Sequence, residues 1–566
     1  MLEYDILIVG AGGAGLYAAL WASQNPNLKV GVMTKVYPTR SHTGAAEGGI
    51  NAALGNVAPD NPEKHAFDTV KGSDYLADQD AVEIMTKLGP QIIYDIEHRG
   101  VPFSRLEDGR IAQRPFGGAS FPRTCYAADR TGLVILHTLF DQALKQGVEF
   151  LNEWFLLNII HNGERVLGVT AWDIRNGGVH FIKAKAVILA TGGHARMYWN
   201  RTSNALGNTG DGTAAVLRAG LPLKDMEFVQ FHPTGLRKTG ILITEGARGE
   251  GGYLINKDGE RFMKKYAPEK MELAPRDIVA RSIEREILEG RGCGPEGDYI
   301  CLDLRHLGEK KLMERLPQTV EHARVYEGVD PVKEPIPIRP TAHYSMGGID
   351  TDKYGQTSLK GLYAAGEAAC ISVHGANRLG GNSLLDILVF GKIAAEHAAE
   401  YVAGVEHLPT EGSEYVKKEE EFIKSLMDKE AKENLAQLRK EMGDIMASKV
   451  GIFREEKPMV EALNQIRELK ERAQKGLAVV DTSKRFNVNL IQTLEFLNLL
   501  DLAEVTALCA IERKESRGAH YRLDYPQRDD ENFLKHSIVR KNEDGSLSHG
   551  WKEVVITKWQ PQERKY

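Results

Sequence analysis

Apolar positions along this chain fall into two textures. In the first, short unbroken apolar runs end in small residues: "DILIVG" (5–10), "KVGVMTK" (29–35), "AKAVILATGG" (184–193) and "GLYAAGEAA" (361–369). Such runs, bounded by turn residues, predict strands. In the second, from about 411 to 515, charged positions break up the apolar ones at helical spacing, as in "EEEFIKSLMDKEAKENLAQLRKEM" and "MVEALNQIRELKERAQ". That periodicity predicts a helical bundle, in which the charged run Lys417 to Glu421 is expected to be a solvated face.

The first run has a particular continuation. After the strand Ile6 to Val9 come Gly10, Ala11, Gly12, Gly13, Ala14 and Gly15, and then an alanine-rich stretch of helical character. Strand, glycine turn and helix in that order open a dinucleotide fold: the glycines let the backbone approach a pyrophosphate, whose charge then faces the free N–H groups of a helix N-terminus. The next strand would end in an acid if it held the ribose of NAD in the usual way, yet Thr34 and Lys35 stand there. A simple NAD enzyme is therefore disfavoured. The later runs lie far downstream, so the nucleotide-binding unit is expected in two segments, 1–228 and 345–410. Between them, 229–344 is rich in turn signals and in His, Arg and Thr and reads as an inserted α+β capping domain. The expected class is α/β, a Rossmann-like doubly wound domain with that insert, a helical domain at 411–515 and a small C-terminal domain at 516–566.

Composition narrows the function. A chain of 566 residues is long enough for about three or four units with sizeable cores. Its 72 basic and 78 acidic residues leave a net charge of −6, with no dense basic block interleaved with aromatics, so no nucleic-acid footprint is expected. No apolar run reaches the ~18 residues of a bilayer span, and no targeting segment is expected ahead of "YDILIVG". Cys125, Cys293, Cys301, Cys370 and Cys509 form no CxxC pair and no metal spacing, and read as buried reduced thiols. No bound metal is expected, and an electron-carrying cluster would have to sit on another chain.

Nine strings then occur in order: "SHTGAAEGG", "ATGG", "QFHPTG", "TEGARGEGG", "PRDIVARSI", "TAHYSMGG", "AAGEAA", "HGANRLGGNSL" and "ESRGAHYRLDYPQRDDENFLKHS". Together, from residue 5 to about 540, they resemble the flavoprotein subunit of succinate dehydrogenase and quinol:fumarate reductase. The resemblance implies FAD bound covalently through a ring nitrogen of His42 to the 8α-methyl carbon. Ser41, Thr43, Gly48 and Gly49 around it are small enough for a planar ring system to lie against backbone. Thr191 and Gly192 of "ATGG", Asp211, and Glu367 on the ribose or ribityl hydroxyls complete the implied cradle. Ser383 and Leu384, opening a helix, resemble the N–H donors that face the flavin pyrimidine edge and raise its potential.

For the substrate, a four-carbon dicarboxylate needs partners at both ends. The resemblance places His232 and Thr244 on one carboxylate and His343 and Arg378 on the other, with Phe116 against the carbon bond. It makes Arg276 the acid/base, relayed by Glu245 and Arg248. An arginine, with a pKa of ~12.5 to 13.8, is an odd base, since its neutral form at pH 7 costs roughly 7 to 9 kcal/mol. Neighbouring cations and exclusion of water penalise the charged form, and a carboxylate can take the displaced proton.

The family implies an iron–sulfur subunit, membrane anchors with a quinone site, and a peripheral position on the cytoplasmic or matrix face. Glu47, "DLRHLGEKKL" and "EPIPIRPTAHY" resemble the fumarate reductase branch, whereas "RTCYAADRTG" is closer to the dehydrogenase branch. The balance leans slightly to a menaquinone-linked or bidirectional enzyme, but one site serves both directions and motifs do not fix which is physiological. L-aspartate oxidase, which holds FAD without a covalent bond, is the alternative, and His42 speaks against it.

Overall fold

The computed structural model describes residues 2–566. Its central sheet runs Glu149–Asn152, Val30–Thr34, Leu2–Val9, Val179–Leu189, Val166–Asp173, Trp154–His161, with Leu362–Ala364 also pairing to Val179–Leu189. The pairs among 2–9, 30–34, 149–152, 179–189 and 362–364 are parallel, and the 154–173 hairpin adds antiparallel strands at one side. Strands from 2–9, 179–189 and 362–364, distant in sequence, are neighbours here because each is an apolar run that must be covered on both faces. Helix Gly13–Ala22 packs on one face against helix Asn382–Ala403. Gly391 allows the close approach, since a Cβ there would lie 2.7 Å from the Ala14 carbonyl oxygen.

The insert forms its own antiparallel sheet in the order Val229–Leu236, Ile336–Ser345, Ile300–Asp303, Tyr253–Ile255, with its own apolar core and the helix Arg276–Glu286 against it. The doubly wound class with an inserted α+β unit is thus what the chain adopts. Strands Lys535–Lys541 and Leu547–Glu553 near the end do not stand apart: the first pairs with Leu223–Lys224, which pairs with Gly348–Asp350. The last segment therefore extends a sheet begun before and after the insert.

Four helices, Ser413–Asp428, Leu435–Lys449, Glu456–Gly476 and Val488–Glu512, occupy the region read as a bundle. The charged run within the first of them is not wholly solvated. Glu419 is buried and accepts hydrogen bonds from Asn158 Nδ2 at 2.6 Å and Thr170 Oγ1 at 2.9 Å. The helix lies against the antiparallel strands with Glu419, Ile423 and Leu426 on its buried face, so Glu419 meets their polar atoms. Four of the five cysteines are buried, and Cys301 is half-buried; none is in a disulfide. Among the described residues no helix is long and apolar enough to cross a membrane.

Candidate active site

Between the parallel sheet and the insert lies a cavity of about 500 Å³. Of the cofactor, substrate and acid/base residues named above, all but Gly15 and Arg248 line it. Gly15 faces the strand instead, where a Cβ would sit 1.8 Å from the Gly10 carbonyl oxygen, so its smallness serves helix-to-strand packing. Arg248 stands behind the wall, donating from Nη1 to the Glu272 carbonyl oxygen at 2.8 Å with Nη2 3.5 Å from Glu245 Oε1.

Two helix N-termini open on the cavity. Helices Gly13–Ala22 and Asn382–Ala403 are both preceded by glycine, which offers no capping side chain, and carry no acid in the first turn. Their free N–H groups and the positive ends of their dipoles form a site for anionic atoms. Gly10, at φ +110°, makes the turn into the first of them; a Cβ there would meet the Ala190 carbonyl oxygen at 2.0 Å. The His42 loop is stapled to the same turn, because Ser41 Oγ donates to the Ala11 carbonyl at 3.1 Å and Gly13 N–H donates to Thr43 Oγ1 at 3.0 Å. His42 Nδ1 accepts from Ala205 N–H at 3.4 Å, which leaves Nε2 without a partner, and burial lowers its pKa to about 4. The imidazole is neutral at pH 7.

At the far end, Lys35 is enclosed by Asp211 at 2.6 Å, Glu495 at 2.5 Å and Thr209 at 3.0 Å. Its charge is thereby spent within the protein, and with it that of Asp211, which also accepts from Asn498 Nδ2 at 2.9 Å. Both residues line the wall as members of a buried network. Glu367 accepts from Ser345 N–H at 3.0 Å, and burial raises its pKa to about 7.

On the insert side three arginines and two histidines converge. Glu245 Oε1 lies 3.1 Å from Arg276 Nε, and Oε2 accepts from Gly117 N–H at 3.1 Å. Burial pushes this carboxyl up, but Arg276 and Arg248 outweigh it and hold Glu245 below the usual carboxylate range. Burial, reinforced by the Arg276 charge, lowers Arg378 to about 9 and holds His232 and His343 well below the normal histidine value. The His232 and His343 rings are 5.0 Å apart, edge to face. His232 Nδ1 accepts from Thr234 N–H at 3.1 Å, so the proton sits on Nε2, which is buried without a partner. His343 Nδ1 is 2.7 Å from Ser203 Oγ. Thr244 Oγ1 caps the helix Glu245–Gly249 by accepting from Gly246 N–H at 3.0 Å, leaving its hydroxyl proton free. Arg378 stacks over Tyr344 at 4.2 Å, with Nε unpartnered. Unpaired donors in a buried, positively charged chamber call for an anion with acceptors at both ends.

Two residues of this chamber escape the sequence reading. Gln230 accepts from Arg276 Nη1 at 3.3 Å and donates to the Arg378 carbonyl at 2.7 Å and Asn377 Oδ1 at 3.0 Å, so it orients both arginines. Its signal was a place two positions before His232 in a strand. Gly380 marks where the walls meet: a Cβ would lie 2.2 Å from Glu245 Oε2, 2.7 Å from Phe116 Cδ2 and 2.9 Å from Arg276 Nη2. Only its position in "GANRLGGNSL" pointed to it.

Comparison with known proteins decides the family. Residues 5–384 match the FAD binding domain family and 439–566 the fumarate reductase flavoprotein C-terminal family. The chain is 50% identical over 565 residues to the succinate dehydrogenase flavoprotein subunit of Coxiella burnetii, covering 97% of this chain and 96% of that one. The chain belongs to the succinate dehydrogenase and fumarate reductase flavoprotein family. The 8-methylmenaquinol:fumarate reductase flavoprotein subunit of Wolinella succinogenes is 46% identical, covering 99% of this chain and 92% of that one. The E. coli quinol fumarate reductase chain FrdA superposes with a TM-score of 0.96 at 45% identity, covering 100% of this chain and 99% of that one. As a member of this family the chain binds FAD, and its residues fit the cofactor: a glycine-lined trough, two open helix N-termini, and a cavity of the size that cofactors occupy.

Proposed function

We propose that the chain interconverts succinate and fumarate, with FAD attached through His42, and hands electrons to or takes them from a quinone through an iron–sulfur subunit and membrane anchors. Relatives of both names at 46 to 50% identity along nearly the whole chain favour this over L-aspartate oxidase. The observation that carries the reading is the Arg276–Glu245 pair, 3.1 Å apart, in a chamber whose other cations and neutral imidazoles have donors to spare.

When bound, FAD supplies the two-electron acceptor or donor for the carbon bond. His232 Nε2–H and the Thr244 hydroxyl hold one carboxylate, and Arg378 with His343 holds the other. Because both histidines are neutral, they orient the dianion by hydrogen bonds, while the arginines carry the charge complement. Phe116, held between Gly48 and Gly380, presses on the carbon skeleton. In succinate oxidation Arg276 gives its Nε proton to Glu245 Oε1 and takes up the proton leaving carbon, staying a guanidinium overall; in fumarate reduction the same path runs backwards. Arg276 and, behind it, Arg248 outweigh burial and keep Glu245 ionised. We assign residues 229–344 to a cap that excludes water once substrate is seated, which strengthens each of these interactions. We assign the chain a peripheral position on the cytoplasmic or matrix face, where the anchors would hold it.

The test is malonate-sensitive succinate oxidation with an artificial electron acceptor, followed by acid precipitation. Activity with yellow flavin in the pellet supports the proposal; activity without bound flavin removes the covalent link, and no succinate turnover removes the reading.

A further inference from the structure

The segment 555–566 makes contacts that the catalytic reading does not use. Gln79, at the start of helix Gln79–His98, grips it with Oε1 accepting from Thr557, Lys558 and Trp559 N–H groups at 2.9 to 3.1 Å and Nε2 donating to the Trp559 carbonyl at 2.7 Å. Trp559 stacks edge to face on Phe67. The strand of chain then crosses to the insert, where Tyr566 joins the insert's apolar core and Lys71 donates to the Lys565 carbonyl at 2.9 Å. Arg564, between these anchors, has a side chain only 7% exposed and spans both units. Nη1 donates to Asp277 Oδ1 at 3.1 Å and to the Gly72 carbonyl at 3.1 Å, Nη2 closes a second bond to Asp277, and Asp74 Oδ2 lies 3.5 Å away.

Asp277 is the residue after Arg276 in the first turn of helix Arg276–Glu286. The Gly72 carbonyl also accepts from Asn377 Nδ2 at 3.0 Å, Asn377 Oδ1 accepts from Gln230, and Gln230 Oε1 accepts from Arg276 Nη1. A closed ring of hydrogen bonds thus leaves Arg564 in one direction through the backbone beside Arg276 and returns through its guanidinium. We infer that Arg564 is a positioning residue, a strap between the flavin-binding unit and the insert that fixes where Arg276 stands over the substrate. The inference rests on the proton-transfer role proposed for Arg276.

The physical reason is the sensitivity of proton transfer to distance: a misplacement of about 1 Å costs on the order of a hundredfold in rate. Removing Arg564 breaks the link between Asp277 and the Gly72 carbonyl and leaves Asp277 with Arg281 of its own helix, at 3.2 Å, while His232, Thr244 and Arg378 keep their own supports. The loss should therefore fall on kcat and spare binding.

The experiment compares Arg564→Gln, Arg564→Lys, Asp277→Asn and Arg276→Gln in the full-length chain within its native complex. For Arg564→Gln and Asp277→Asn we expect kcat for succinate to fall about ten- to a hundredfold. KM and the malonate dissociation constant should stay within about threefold, the solvent deuterium isotope effect on kcat should rise, and Arg564→Lys should recover most of the loss. A merely stabilising contact would leave the isotope effect unchanged. The inference is overturned if Arg276→Gln is inactive while Arg564→Gln turns over at the parental rate, or if KM of Arg564→Gln rises more than about tenfold as its kcat falls. Should Arg564→Gln fail to assemble, Asp277→Asn decides alone by the same split. An Arg276→Gln complex that retains turnover would instead remove the underlying assignment of Arg276.

Discussion

Arg276 is held on three sides, by Glu245 at Nε, Gln230 at Nη1 and the wall at Gly380, so its guanidinium has one place to be. Such restraint is what the proposed acid/base role of Arg276 requires. Replacing Arg276 by Gln is expected to lower kcat by about a hundred- to ten-thousandfold, the usual share of general acid/base catalysis, with malonate affinity changed by only a few fold. Steady-state succinate oxidation beside malonate titration separates the two. Gly380→Ala tests the packing rather than the charge. Its methyl would collide with Glu245 Oε2 at 2.2 Å, so turnover should drop at least about tenfold while flavin content, measured by absorbance after acid precipitation, stays at the parental level.

At the scale of elements, the site is an arrangement of ends. The strand Leu2–Val9 stops at Gly10, the helix Gly13–Ala22 starts three residues on, and the Val179–Leu189 strand delivers Ala190 against the turn. At φ +110° with a carbonyl oxygen 2.0 Å from any Cβ, Gly10→Ala must shift the turn. The expected outcome is a loss of about 1 to 3 kcal/mol of stability and of most bound flavin, read by thermal unfolding and by the flavin-to-protein absorbance ratio. The helix Val488–Glu512 contributes to the same site from 460 residues away, since its Glu495 neutralises Lys35 at the end of the second strand. This explains why a lysine can stand where an NAD-binding fold has an acid.

In the whole molecule, buried ion pairs tie segments that the chain order keeps apart. His536 lies 2.6 Å from Asp225 and 2.9 Å from Asp78, joining residues near the start, before the insert and near the end. Burial alone would depress this histidine, but the Asp225 and Asp78 carboxylates prevail and lift it to about 9. Its folded value is above the unfolded ~6.5, so the folded state holds the extra proton between the two. The contribution, on the order of 3 kcal/mol, is complete below about pH 6.5 and lost as pH rises through about 9. Denaturant unfolding between pH 6 and 10 should show that decline, and His536→Gln should flatten it.

The strand and glycine turn at 5–15 were legible because local backbone sterics and burial set them, whatever the rest of the chain does. The helical texture of 411–515 was legible too, and motifs named His42, His232, Arg276 and Arg378 one at a time, residues that the fold gathers around one cavity. Beyond the reach of pattern lay every relation between distant residues: Glu419 turned inward, Lys35 met by Glu495, Gln230 between two arginines, and Arg564 bound to Asp277. Periodicity reports which side of an element is buried but not what it is buried against. The amino-acid order therefore determined the kind of site, and tertiary packing decided which groups share a proton, because a hydrogen bond depends on ångström separations that only the folded chain sets.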